Sequence, residues 1–491
     1  MKYISKSDYI LGLKCPNALW FKKFRSDLES KVTYQLQILF DTGHSVGDLA
    51  CELFSGGTRI TAKPWEDEAI TQTRAAIKTG VPAIFEAVLK TSTNEYCAVD
   101  ILRNNNDGTW DIIEVKSTTK PHEYHYLDIS FQRYVMETAG LKIKNCFVMT
   151  LNWEYIRHGE LDINKLFILH DASEYLKNMN TVKSEVLSMR EVLAAPESSV
   201  TISKAKCCKF YECRYKQHCW ADVPMYSVFD AFKSETADEI YAKHGADLRK
   251  IPSELYDRQM HCGDIESYLT EKENINPDGL REFLNSLQYP LYFLDYETIA
   301  PAVPLFDNSR PYQQICFQFS LHILHEPGGK LEHIEFLHNR QSDPRPDMIC
   351  ALIDSCKDNG SILVYNQSFE KSVNLGMIQY FPEHTAALES INNRIVDLLP
   401  PFRKRQLYRP CQNGSASLKE ILPAFVPEMS YDNLEIHNGS EAGGQYMCFI
   451  TGKLNADQTA ILMSNLREYC TQDTLAMVRL LEVIGEFALS M

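Results

Sequence analysis

Apolar residues recur at helical spacing from Leu36 to Leu53 and then give way to three strand-like runs: AIFEAVLK at Ala83–Lys90, YCAVDILR at Tyr96–Arg103 and TWDIIEVK at Thr109–Lys116. The NNNDG between the last two, Asn104–Gly108, is hairpin-turn chemistry. A helix is predicted over His125–Thr138 and a further strand over Asn145–Leu151, so residues 1–224 read as helix, three strands, helix, strand. The polar stretch 225–288 is predicted to be a helical connector. A second unit, 289–491, opens with an apolar strand at Leu291–Leu294, continues with strands near Ile315–Leu324 and Ser361–Tyr365, and closes with a helical pattern from about Asp457 to Phe487. The mixture predicts an α/β protein without internal repeats or low-complexity tracts.

At 491 residues the chain exceeds what one hydrophobic core usually serves. Its 44% hydrophobic and 11% aromatic content is that of an ordinary folded chain. No apolar run approaches the ~20 residues that span a bilayer, and MKYISKSDYILGLKCPNALWFKK mixes Lys and Asp into its apolar positions, unlike a signal peptide. A cytoplasmic protein without membrane contact is expected, with reduced thiols, so its fifteen cysteines point to metal rather than to disulfides. The net charge of −15 argues against a chain coated in nucleic acid. It leaves a nuclease open, because catalytic carboxylates recruit divalent cations and local patches can contact phosphates.

Acidic residues interrupt apolar strands in two places. In the first unit, Glu114 and Lys116 lie two apart in IIEVKS and share a face, and Asp100 in AVDILR faces them across the hairpin. Two close carboxylates repel unless a cation lies between them, and oxygen ligands suit Mg²⁺ or Mn²⁺. Such an ion lowers the pKa of water and stabilises charge on a phosphate, while Lys116 can orient that water or neutralise the phosphate. The bland alternative is a solvated charged face on an amphipathic hairpin, but charged groups in such apolar surroundings usually have a partner. Together with the helix DISFQRYVM, Asp128–Met136, these residues resemble the PD-(D/E)XK nucleases of the RecB type. The resemblance implies a restriction-endonuclease-like fold, metal binding by Asp100 and Glu114, catalytic assistance from Lys116 and support from Gln132. Many such nucleases add a histidine from a Gly-xxx-His helix; here Gly43 is followed at that distance by Gly47, with His44 displaced. Glu86, in IFEAVL, is an extra candidate with an equal structural reading.

In the second unit, Asp295 and Glu297 share one face of YFLDYET, and Tyr469 and Asp473 lie four apart on one helix face. Between them, LVYNQSFEKS sets Asn366 and Glu370 four apart where a strand yields to a helix. This order resembles the DEDD exonucleases of the DnaQ and RNase H-like class, in the subtype with a tyrosine in its last motif. The resemblance implies two Mg²⁺ or Mn²⁺ ions held by Asp295, Glu297, Glu370 and Asp473, with Glu370 where Asp is usual, and Tyr469 orienting the attacking water. Asp397, in RIVDLLPPF, reads as a ligand or as a helix cap or turn. Arg403–Arg405 and Asn413–Lys419 read as phosphate contacts or as solvated loops.

One segment, AKCCKFYECRYKQHCW at Ala205–Trp220, carries four cysteines. Zinc knuckles favour short C-x₂₋₄-C pairs, whereas five residues separate Cys207, Cys213 and Cys219, and three thiolates lack a fourth ligand. RecB-like nucleases of the iron–sulfur kind take one cysteine from before the core and three from after it. The resemblance therefore implies a [4Fe–4S] cluster on Cys15, Cys207, Cys213 and Cys219, with Cys208 as the alternative to Cys207. Zinc on the same residues and an unmetallated loop stay open. The chain as a whole resembles a bacterial family that joins an iron–sulfur RecB-like nuclease domain to a DnaQ/RNase H-like exonuclease-type domain. The expected function is metal-dependent hydrolysis of DNA phosphodiester bonds, as an exonuclease or end-processing enzyme in repair or defence against foreign DNA. The alternatives are an RNA-directed nuclease and a nucleic-acid-binding scaffold whose exonuclease-like half is degenerate at Glu370.

Overall fold

A computed structural model describes residues 2–196, 202–207, 209–255, 262–356 and 359–489. The chain forms two compact units, one of Met1–Val223 with Ala302–Tyr312, the other of Pro224–Pro301 with Gln313–Met491. Both mix helices with a sheet, as the α/β pattern predicts. Among the described residues no helix is long and apolar enough to cross a membrane.

The first unit is built on strands β1 (Ile4–Ser5), β2 (Thr58–Arg59), β3 (Ala83–Lys90), β4 (Glu95–Asn104), β5 (Trp110–Val115), β6 (Ile143–Leu151) and β7 (Phe167–Asp171). They run in the order β2-β3-β4-β5-β6-β7, with β1 beside β4. The β3–β4–β5 meander is antiparallel, and β6 lies parallel to β5. A parallel neighbour requires a crossover, supplied by a helix. Its helices include α1 (Lys6–Lys14), α2 (Pro16–Phe24), α3 (Tyr34–Cys51), α4 (Asp67–Thr79) and α5 (Glu123–Thr138), the last being that crossover. Leu102, Ile112 and Val148 face a core with Tyr9 of α1 and Ile129 and Val135 of α5. Ile101, Ile113 and Met149 face the opposite core with Val46 and Ala50 of α3. Asp100 and Glu114 alternate in step with Leu102 and Ile112, so they point to the α1–α5 side.

The second unit contains β8 (Asn274–Ile275), β9 (Leu291–Ile299), β10 (Ile315–Leu324), β11 (Leu331–Leu337), β12 (Ser361–Val364), β13 (Ile395–Asp397) and β14 (Leu407–Tyr408). Its main sheet has the order β11-β10-β9-β12-β13. Here β9 is central, antiparallel to β10 and parallel to β12. Tyr292, Leu294 and Tyr296 of β9 pack into a core with the helices Arg345–Ser355, Ser368–Tyr380 and Thr385–Arg394. The alternate positions, Asp295 and Glu297 among them, point to the other face. That face meets the long helix Ala456–Leu489, where Gln318 of β10 donates to the Leu466 carbonyl at 2.8 Å.

Residues 225–288, expected to be a connector, are largely helical but fold as part of the second unit. Their β8 pairs with β14. Asp264 accepts two hydrogen bonds from Arg405, at 2.7 and 2.6 Å. Polar composition masked these contacts, because their partners lie more than a hundred residues downstream.

The helix Gly439–Ile450 packs against β9 so closely that a Cβ on Gly443 would lie 2.6 Å from the Thr298 carbonyl oxygen. In an open helix site Gly→Ala stabilises by about 0.5–1 kcal/mol. At Gly443 the obstacle is strand backbone, which cannot swing aside, so Gly443→Ala is expected to cost roughly 1–3 kcal/mol. Gly376, with nothing within 4 Å of its notional Cβ, is the control. Thermal unfolding of the two variants should shift in opposite directions.

Candidate functional site

In the second unit, Asp295 and Glu297 lie opposite Ser320 and Gln318 of β10, and the long helix brings up Asp473. One carboxylate oxygen from each of the three lies within 4.8 Å of the others, and among the described residues this is the one such group of three or more His, Cys, Asp or Glu. Burial and the mutual repulsion of the acids push the Asp295 and Glu297 carboxyls well above their ordinary range. Burial also raises Asp473, although the Tyr431 hydroxyl, donating to Asp473 Oδ1 at 2.5 Å, moderates the rise. Tyr469, four residues before Asp473 on the same helix face, also hydrogen-bonds to it, and its ring lies 6.2 Å from that of Tyr431. Lys419 acts electrostatically on Glu297 and Asp473, while its ammonium donates to the His437 carbonyl. All three clustered donors are oxygens in a crowded, like-charged group, which fits a hard divalent cation.

Glu370 stands in the first turn of Ser368–Tyr380, buried, and its charge acts on Asp295. It lies outside the 4.8 Å group. Its Oε2 has no protein partner, and burial pushes its carboxyl up to about 8. Asp397 takes its structural role: Oδ1 accepts from the Asn366 and Leu399 amides at 2.9 and 3.0 Å. This secures the strand-to-helix turn in which Asn366 adopts φ +73°. Arg405 is engaged internally by Asp264 and the Gly414 carbonyl rather than presented to a phosphate. A Cβ on Gly439 would sit 3.3 Å from Glu297 Oε2, so the start of that helix closes one side of the acidic group.

These raised carboxyls set the pH response of the metal-free protein. A carboxyl whose folded pKa exceeds its unfolded value holds its proton more tightly when folded. Its burial therefore costs least below the unfolded pKa and most above the folded one. The contribution of these carboxyls to stability is expected to fall as pH rises from about 5 to about 8, with Glu370, at about 8, spanning the top of that window. One such group contributes up to about 1.4 kcal/mol per pH unit. In chelator, melting temperatures of Glu370→Gln across this range should show a shallower decline than wild type.

In the first unit the predicted residues converge. Asp100 Oδ2 accepts from the Val115 amide at 2.7 Å. Glu114, only 1% exposed, accepts from Lys116 at 2.6 Å and from Gln132 at 2.7 Å. Lys116 also donates to Asp128 of α5 at 2.9 Å. Lys6 donates to both Glu114 oxygens, at 2.9 and 3.2 Å, and lies 3.8 Å from Asp100 Oδ1. Burial and the Glu114 charge raise the Asp100 carboxyl. Burial works against the Glu114 charge too, but Lys116 and Lys6 hold that carboxyl below the usual carboxylate range. Glu86 sits at φ +58°, interrupting the β3–β4 ladder between the Phe85↔Ile101 and Ala87↔Val99 pairs. A non-glycine residue there stores about 1–3 kcal/mol of strain. Its carboxyl interacts electrostatically with Lys6 and Glu114, and more weakly with the exposed His44 of α3. The oxygens of Asp100, Glu114 and Glu86 fit a divalent ion in kind. Asp100 and Glu114, however, already have lysine ammonium groups within 4 Å.

Cys15, at the junction of α1 and α2, joins Cys213 and Cys219 in one small core with Leu11, Phe21 and Tyr215. Burial raises the Cys213 and Cys219 thiols, and the charges of Cys15 and Cys207 act on both. The segment before the core is thereby tied to the segment after it. Buried Lys14 donates to the Tyr211 carbonyl, Arg214 donates to the Ser30 carbonyl at 2.7 Å, and the Phe21 and Tyr215 rings lie 5.6 Å apart. No three of these described thiols lie within 4.8 Å of one another. Cys208 lies outside the described residues.

Sequence reading missed Lys6, Asp128 and Tyr431. Asp128 carried a signal, since it stands four residues before Gln132 on the same helix face. The other two had none: Lys6 reaches Glu114 across 108 residues, and Tyr431 reaches Asp473 across 42.

A family described as a domain of unknown function, DUF2779, matches residues 292–417. That span holds Asp295, Glu297 and Glu370 and stops short of Tyr469 and Asp473. The chain is 27% identical over 216 residues to the uncharacterized protein MG366 homolog of Mycoplasma pneumoniae, covering 40% of this chain and 32% of that protein. It is 26% identical over 240 residues to uncharacterized protein MG366 of Mycoplasma genitalium, covering 45% and 36%. The chain thus spans about a third of the length of the curated relatives it matches. No solved structure matches it.

Proposed function

We propose that the chain is a Mg²⁺- or Mn²⁺-dependent nuclease that hydrolyses phosphodiester bonds, with an RNase H-like second unit and a PD-(D/E)XK-type first unit. The observation that carries this reading is the group Asp295, Glu297 and Asp473, three carboxylates drawn together from a central strand and a distant helix. Folding such acids into one crowded, largely buried group is unfavourable unless the group binds a cation. Asp295, Glu297 and Asp473 would hold the ion, with Glu370 behind Asp295. A bound divalent ion supplies a lowered pKa for attacking water and neutralises charge building on a phosphate. Tyr469 would orient that water, and Tyr431, donating to Asp473 Oδ1, would steady that carboxylate.

In the first unit, Asp100 and Glu114 on adjacent strands, Lys116 on the same face and Gln132 on the next helix support the RecB-type likeness. Lys116 would neutralise a phosphate there, and Gln132 fixes the Glu114 carboxylate. DNA is the preferred substrate on that likeness, in repair or defence. The thiols of Cys15, Cys207, Cys213 and Cys219 would carry a structural [4Fe–4S] cluster. The test is an assay of the purified full chain on matched single- and double-stranded DNA and RNA, with Asp100→Ala and Asp295→Ala alongside. Wild-type cleavage that needs the metal and is lost in one or both variants supports the reading. A protein that cuts none of these substrates with either metal sinks it.

A further inference from the structure

Glu114 has more cationic partners than its role requires. Lys116 and Gln132 already orient it, yet Lys6 arrives from another element and donates to both of its oxygens while facing Asp100 at 3.8 Å. The location is fixed by its own helix. Ser5 and Asp8 form a reciprocal cap around the first turn of α1, with the Ser5 amide and hydroxyl donating to Asp8 Oδ2 at 2.8 and 2.7 Å. Lys22 and Lys23 pair with Asp8 at 2.9 and 2.6 Å. At its other end α1 runs into Cys15 and the small core it shares with Cys213 and Cys219. The first turn thus delivers an ammonium to the space shared by Asp100 and Glu114, while the second unit's acidic trio is left to an external ion.

We propose that Lys6 is the resident cation of the first site: its ammonium fills the position between Asp100 and Glu114 that a divalent ion would take, so ion entry requires the Lys6 side chain to withdraw. This rests on reading Asp100 and Glu114 as metal ligands. Like charges a few ångströms apart in a partly dry site exclude one another. The first unit therefore rests metal-poor, and a phosphodiester entering the site gives the displaced ammonium a new counter-charge. Lys6 acts through the occupancy of the site, as a positioning residue.

The experiment is a Mn²⁺ titration, read by electron paramagnetic resonance of the free ion, on the full chain carrying Asp295→Asn and Asp473→Asn to silence the second unit's group. In that background Lys6→Met is expected to bind one Mn²⁺ at least about tenfold more tightly than its Lys6 parent. Lys6→Arg should stay weak, and Asp100→Asn added to Lys6→Met should abolish the gain. Lys6→Gln is the second neutral variant, and circular dichroism reports folding of each. Equal or weaker binding without Lys6, in a protein whose binding still needs Asp100, overturns the role of Lys6 and leaves the metal-site reading intact. Binding indifferent to Asp100 in every variant overturns both.

Discussion

Asp295→Asn is expected to lower phosphodiester cleavage at least about 100-fold while raising the melting temperature of the chelated protein. The two effects share a cause. Asp295 is held among Asp473, Glu297 and Glu370 in a buried setting, where burial and their repulsion push its carboxyl far upward. Without a metal, a neutral isostere relieves a repulsion that water screens only in part at the half-buried Asp295, an effect of roughly 1–3 kcal/mol. With a metal, on the function proposed above, the same change would remove a ligand and the negative charge that attracts the ion. Wild type should therefore gain more stability from added Mn²⁺ than the variant, because an ion bound only by the folded state stabilises it. Melting curves in chelator and in Mn²⁺, run beside the cleavage assay, check both halves. A variant that cuts as fast as wild type would move the chemistry away from this group, and one that melts lower in chelator would show that the group is not strained as argued.

Cys213→Ser should have the other large effect, and should confine it to the first unit. Cys213 is buried at the centre of the small core that ties the α1–α2 junction to the Cys213–Cys219 segment. If the four thiols hold a [4Fe–4S] cluster, wild type is brown and carries about four irons per chain. The serine variant then loses iron and colour together. Since a cluster preorganised only by folding contributes its binding energy to folding, the loss is expected to exceed about 4 kcal/mol for that unit. Iron analysis and absorbance on anaerobic preparations, with calorimetry to resolve the transitions, provide the measurements. Wild type that is colourless and carries stoichiometric zinc would refute the cluster. A variant that keeps full stability would show that this small core does not contribute to folding of the unit.

Much of this protein is written locally. The strand Ala83–Lys90 runs over the residues its apolar pattern marks, and the NNNDG turn joins β4 to β5 as its glycine and asparagines require. The two-residue spacing of Asp295 and Glu297 and the four-residue spacing of Tyr469 and Asp473 fixed which side chains share a face, because strand and helix periods are properties of the backbone itself. The helical segment 225–288 was readable as helix but not as part of the second unit, since its partners, Arg405 and β14, lie far along the chain.

Periodicity could not settle which face met which charge. Nothing near Lys6 announces Glu114, and nothing near Tyr431 announces Asp473; each pair exists only once the chain has closed a loop of 108 or 42 residues. Tertiary folding also separates two acidic sets that look alike on paper. One is neutralised by the protein's own lysines, and the other is left crowded and short of cations. The sequence alone determined the kind of groups and the face each would occupy, because these follow from residue type and backbone period. Only the tertiary structure decided which of them is balanced by the chain's own lysines and which stays a crowded group of acids, because charge balance depends on what the folded chain brings within a few ångströms.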